Sequence, residues 1–474
     1  MLAWDLARRG VRTLVLERAR FPREKVCGDY VEPRGLRILE HMGCLERLEA
    51  ERPLPITRSA TFVDGRCRYR GDIPFYGRST HLPAHGYIIK REDLDAAMLE
   101  SAERAGAAVR HGAAVTAVKT GPGGVEVEAT YGSKTTRHRG HLVAGADGVN
   151  SVVARSQGLL VDDPRHIAVS QRTYGYAGDN VGEAAFFFDE HLFPGYGWVF
   201  PLAGNQVNIG VGILSETKRR LRIQVPALFT EFLDGVRRAD PRWADLELCG
   251  PPIGGIVKTY GGIGRNVFDR GVLVGDAGSF VDPMTGEGIT PAMESSLIAA
   301  SVLRSGLEAG RFGVAELGAY ESAYHDYFDP AMSVLELCAA TLRNRHFAGP
   351  WLRALARGCE LAQADPEFAR TAGSPFGGLE IDLFGILGQL WLRTTEELIA
   401  VMSHLLDSGG GAWDDDQAAA IARLIEWHAA WSKSILADPM WHAHWSMDVQ
   451  RAWIRVMSTL DASRADPRAT GLEL

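Results

Sequence analysis

The stretch "GVLVGDAGSFVDPMTGEGITPAMESSLIAASVL" (271–303) concentrates the residues best suited to chemistry. "GVLVGDA" reads as a buried strand ending in Gly275-Asp276, and an acid at that end can accept hydrogen bonds from a cofactor hydroxyl. "DPMTGEGI" then forms a tight turn through Pro283, Gly286 and Gly288, with a long helix expected from about Ile289. The glycines let backbone N–H groups approach a ligand closely, and the helix N-terminus adds partial positive charge. A reduced flavin carries negative charge around N1 and the C2 carbonyl, so this turn suits an isoalloxazine ring.

Two other stretches match that chemistry. In "HLVAGADGVNSVVAR" (141–155) an apolar strand, Leu142 to Ala144, runs into Asp147 and Gly148, and a helix starts near Ser151. It reads equally as a cofactor seat or as an ordinary strand-to-helix turn capped by Asp and Ser. The opening "MLAWDLARRGVRTLVLE" reads as a helix with Leu2, Ala3, Leu6 and Ala7 on one face and Gly10 as C-cap. A buried strand, Val11 to Leu16, follows and closes at Glu17. This is the second half of a dinucleotide-binding βαβ unit, with Glu17 placed to hold ribose hydroxyls. Its first half, a strand and G-x-G-x-x-G about twenty residues before the acid, has no room ahead of Glu17. The expectation is that Met1 is an internal codon and that the glycine loop lies upstream. A truncated chain, or altered FAD binding, stands as the alternative. In "YIIKREDLDAAML" (87–99), Arg91 opens a helix, where it can meet the cofactor or pair with Glu92 or Asp95.

The elements that must position these residues fall into three regions. Up to about residue 330 short strands alternate with helices and many glycines; residues 56–71, 165–178 and 183–214 alternate as antiparallel strands do. From about 331 the pattern is helical, broken at 371–378 and 407–416. The 474 residues carry a net charge of −8, which argues against a nucleic-acid partner. Six cysteines without metal-ligand spacing fit free thiols in a reducing cytoplasm and give no metal site. No apolar run reaches the roughly 18–20 residues needed to span a bilayer. A cytoplasmic protein is expected, with peripheral membrane contact left open.

These residues resemble the flavoprotein hydroxylase superfamily, whose fold is that of p-hydroxybenzoate hydroxylase. Glu17 matches its ribose-binding acid, Asp147-Gly148 its DG motif and Gly275-Asp276 its GD motif. Within it the chain is most similar to geranylgeranyl reductase-type flavoproteins. "KVCGDYVEPRGLRILEHMG" (25–43) resembles their K-x-C-G segment, "GYGWVFPLAGNQVNIGVG" (195–212) their Y-x-W-x-F-P motif, and 275–296 their flavin-contact segment. The resemblance covers roughly residues 1–330. It implies an α/β (α+β overall) fold. A discontinuous Rossmann-like FAD-binding domain (1–55, 81–160 and 255–330) carries an inserted antiparallel-sheet substrate domain (56–80 and 161–254). A C-terminal helical region (331–474) follows.

The implied activity is an FAD-dependent oxidoreductase that delivers hydride to isolated double bonds of a polyprenyl or similar small hydrophobic substrate. NAD(P)H or another electron donor reduces the flavin. Such an alkene is unactivated, so its second carbon needs a proton and the site must exclude water. Tyr196, Trp198 and Phe200 alternate on one strand and point the same way, either as a channel wall or as plain sheet core. Cys27 faces the flavin or substrate, or is a buried inert thiol. The rivals are a monooxygenase and, in another class, a non-catalytic flavoprotein-like scaffold. Flavin halogenases carry W-x-W-x-I-P where this chain has "YGWVFP", so Tyr196 and Phe200 argue against halogenation. Eight of the eleven tryptophans follow residue 330, which reads as helix packing or as an aromatic lid. "WHAHW" is a poor metal site, because His442 and His444 diverge on a helix.

Overall fold

The computed structural model describes residues 1–73, 82–178, 181–366, 368–369 and 415–465. The breaks at 371–378 and most of 407–416, with Trp391 and Trp413, lie outside them.

Helix α1 (Leu2–Arg8) ends before Gly10, whose φ of +82° favours glycine. Strand β1 (Leu14–Glu17) is shorter and less buried than its apolar sequence predicts, with Leu14 43% exposed. The reason is its neighbourhood: among the described residues its sheet has only one other strand. Helix α2 (Pro33–His41) starts with proline at its first position and buries Leu36, Ile38 and Leu39. Strands β2 (Arg58–Val63) and β3 (Arg66–Asp72) form a hairpin, and α3 (Arg91–Arg104) leads to β4 (Ala108–His111), the parallel partner of β1. A three-stranded meander (114–140) precedes β5 (Val143–Gly145).

The chain then builds a large sheet from β6 (Ile167–Tyr176), β7 (Glu183–Phe188), β8 (Tyr196–Pro201), β9 (Gln206–Leu214) and β10 (Ile253–Lys258). Strands β2 and β3 and the short pair Glu247–Leu248 complete its eight strands. Alternating inward residues, among them Phe62, Phe187, Val199, Ile209 and Val211, form one core against the helix Val225–Ala239. Every pairing in it is antiparallel except β7 with β2, which is parallel. The sheet is therefore mixed at the junction of its two chain segments, and β10 carries it past residue 254.

Strand β11 (Gly271–Leu273) pairs parallel with β5. The β1–β4 pair and the β5–β11 sheet are separate, with a cavity between them. Helix α4 (Ile289–Ala309) packs on α1, and α5 (Ala319–Leu342) packs on α4 through Tyr320, Tyr324 and Phe328. That helix runs without interruption through the expected boundary at 330/331. After α6 (Ala348–Ala364) come α7 (Asp415–Ala437) and α8 (Pro439–Ala465). Trp431 meets Trp427, Trp445 and Phe347 in tilted and edge-to-face contacts, with Trp427 and Trp431 centroids 5.1 Å apart. None of the described C-terminal tryptophans lines the cavity; Trp427, Trp431, Trp441 and Trp445 pack between helices, while Trp453 is 54% exposed.

Candidate functional site

The expected cofactor and substrate residues come together on one cavity of about 1770 Å³: Glu17, Cys27, Arg91, Asp147, Gly148, Tyr196, Trp198, Gly275, Asp276, Pro283, Gly286 and Gly288. Small-molecule pockets usually occupy ≈ 300–1,000 Å³. The excess here arises because one space joins the gap between β1 and β5 to an inner chamber under the large sheet.

The flavin-type turn forms as its sequence requires. A short 3₁₀ turn (Gly275–Gly278) carries Asp276, whose carboxylate lies 3.7 Å from Lys25 Nζ. Gly286 has φ of +70°, and Gly288 is the N-cap of α4, offering no side chain there. A Cβ at Gly288 would sit 2.9 Å from Val281, so the backbone approach depends on glycine. Asp282, buried, accepts from the backbone N–H groups of Met284 (2.7 Å) and Thr285 (3.0 Å) and fixes the turn. The Tyr196 hydroxyl donates to the Thr285 carbonyl, fastening β8 to it. An acid at a strand end, a glycine cradle and a helix N-terminus fit the ribityl chain and pyrimidine edge of a flavin.

Other predicted contacts are committed elsewhere. The Asp147 carboxylate accepts from Ser151 Oγ and from the N–H groups of Val152 (2.6 Å) and Val153 (3.2 Å). It therefore serves as a helix cap, the plainer of its two readings, while lining the cavity. Arg91 holds Asp95 through two 2.9 Å hydrogen bonds and also faces Cys27. Glu17 accepts from Ala19 N–H at 2.7 Å.

Sequence reasoning missed the device that holds Cys27. Asp29 sits with φ of +64°, a conformation Asp tolerates better than most residues. Tyr174 Oη (2.6 Å) and Asn208 Nδ2 (2.8 Å) both donate to its carboxylate. Asn208 also donates to the Cys27 carbonyl (2.8 Å) and accepts from Trp198 Nε1 (2.9 Å). Arg172, 1% exposed, donates to the carbonyls of Cys27 (3.1 Å) and Lys25 (3.0 Å). One network thus binds the Cys27 turn to the aromatic strand. Burial pushes the Asp29 carboxyl up to about 6, the hydrogen bond from Tyr174 being the largest opposing effect. Desolvation likewise raises the Cys27 thiol, which keeps it protonated and weakly polar. The signal was Arg172 and Tyr174, two apart on β6, and Asn208 within the apolar run of β9.

Comparison with known proteins agrees with this geometry. Residues 1–171 match the FAD binding domain family. The menaquinone reductase of Mycobacterium tuberculosis is 31% identical over 64% of this chain and 73% of its own length. Digeranylgeranylglycerophospholipid reductase 1 of Methanopyrus kandleri is 30% identical over 71% of this chain and 86% of its own. The chain belongs to the geranylgeranyl reductase-type branch of the FAD-dependent oxidoreductases.

Solved structures show the same flavoprotein fold. A geranylgeranyl bacteriochlorophyll reductase-like protein of Thermoplasma acidophilum superposes with a TM-score of 0.66 at 20% identity, covering 76% of this chain and 88% of that one. The flavin-dependent halogenase CmlS superposes at 0.61 and 19% identity, over 76% of this chain and 69% of its own. No helix among the described residues is long and apolar enough to cross a membrane. No cluster of metal-ligating side chains occurs among them either.

Proposed function

We propose that this flavoprotein saturates isolated double bonds of a polyprenyl or similarly apolar substrate, with NAD(P)H or another donor reducing the flavin. Carrying this reading is the single chamber in which Cys27-Gly28 faces Tyr196, Trp198 and Phe200 beside the flavin-type turn. Bound and reduced, FAD would supply a hydride equivalent to one alkene carbon. The protein's own residues supply shape and dryness. Gly28 lies against the Phe200 ring, where a Cβ would come within 3.2 Å, and Trp198 stacks on Phe200 at 6.3 Å between centroids. Apolar walls and a protonated thiol exclude water, as an unactivated alkene requires. Glu17, Asp276 and the 286–288 turn are the residues that would hold the cofactor. The names of the menaquinone and digeranylgeranylglycerophospholipid reductases support the same substrate class.

The test is reoxidation under argon. Reduced protein mixed with a polyprenyl lipid should lose its reduced-flavin absorbance without oxygen. Reoxidation that occurs only in air, with oxidised substrate, would assign a monooxygenase instead.

A further inference from the structure

Glu32 caps α2 by position only: its backbone is the N-cap, but its side chain makes no capping hydrogen bond. It is 5% exposed and lines the cavity, and its Oε2 has no hydrogen-bond partner. Its nearest cation is Arg34, with Nη2 at 3.5 Å. The same guanidinium reaches Glu294 from α4 at 3.4 Å, and Tyr327 from α5 donates to Glu294 at 2.8 Å. Glu287, half-buried in the glycine turn, accepts from Thr290 N–H at 2.8 Å and also lines the cavity. Asp282 adds a fourth carboxyl to this field, and Tyr30 a neutral phenol. One guanidinium shared between Glu32 and Glu294 cannot balance all the acids around it, which favours the protonated form of Glu32. Desolvation, with the neighbouring acids adding to it, raises both Glu32 and Glu287.

We propose that Glu32 is the proton donor of the cavity. The role rests on the reductase reading above. Saturating a double bond takes a hydride and a proton, and both electrons come with the hydride from the reduced flavin. At the second carbon the Glu32 O–H bond breaks and a C–H bond forms. The O–H electron pair stays on the carboxylate, and a proton from water restores the acid.

Three full-length proteins test this: wild type, Glu32→Gln, and Glu32→Thr, the last retaining a side chain able to cap α2. Infrared spectra at neutral pH, with and without FAD, should show a protonated-carboxyl stretch in wild type that both variants lose in part. Single-turnover alkene saturation under argon should slow by roughly 10²-fold or more in both variants. Bound FAD should stay unchanged. The wild-type rate should fall with rising pH as the acid ionises, and the variants' rates should lose that dependence. If wild type saturates alkenes, but the variants match its rate and keep the full carboxyl band, the donor role is overturned alone. If wild type saturates no alkene, the reductase reading falls and takes the donor role with it.

Discussion

Replacing Asp29 with Asn removes a buried charge while keeping an oxygen that can accept from both Tyr174 and Asn208. Asn also tolerates the φ of +64° found here. The folded-state carboxyl stands at about 6 against an ordinary 3.8, so the folded protein holds this proton more tightly than the unfolded chain. Stability from this group is therefore present below about pH 4 and is lost as pH rises to about 6. A shift of roughly two pH units amounts to about 3 kcal/mol. Wild type should accordingly lose about 3 kcal/mol relative to Asp29→Asn across that window, with a constant difference above it. Urea denaturation of both proteins at stepped pH, followed by tryptophan fluorescence and circular dichroism, reads this directly. Parallel stability profiles from pH 4 to pH 7 would refute the reasoning.

Three further outcomes follow from the same geometry. Gly210→Ala places a Cβ 2.2 Å from the Trp198 ring; this should cost about 1–3 kcal/mol in denaturation midpoints and shift the fluorescence of a ring pushed off Asn208. Trp198→Ala opens the chamber wall and leaves Asn208 Oδ1 without its donor. It should destabilise by about 3–5 kcal/mol and slow alkene saturation by about 10²-fold while FAD content holds, as absorbance and single-turnover rates will show. Asp276→Ala should shed FAD faster on dialysis, a weakening of roughly 1–3 kcal/mol; equal retention would contradict its role as a cofactor contact.

Parts of this site were legible because local sequence dictates them. The 282–288 turn and α4 announce themselves through Pro283, Gly286 and Gly288, and the period-2 spacing of Tyr196, Trp198 and Phe200 places all three on the chamber. Asp147 illustrates the limit, since a cap and a cofactor contact call for the same residue at the same turn. The Asp29 network was not legible, because its members come from β6, β9 and the loop before α2, and only strand register sets Asn208 opposite both Tyr174 and Phe200. Glu32 was not singled out in the sequence, because only the packing of α2 on α4 buries it next to the Arg34 guanidinium that also reaches Glu294. The exposure of β1 likewise depends on which strands flank it, not on its own apolar run.

The mass of the product separates hydride transfer from oxygen transfer. Reduced, FAD-loaded protein incubated under argon with a polyprenyl lipid should yield a product heavier by two hydrogens per double bond, with one oxidised flavin formed for each bond saturated. An unchanged lipid under argon, together with a product carrying an added oxygen atom once air is admitted, would contradict it.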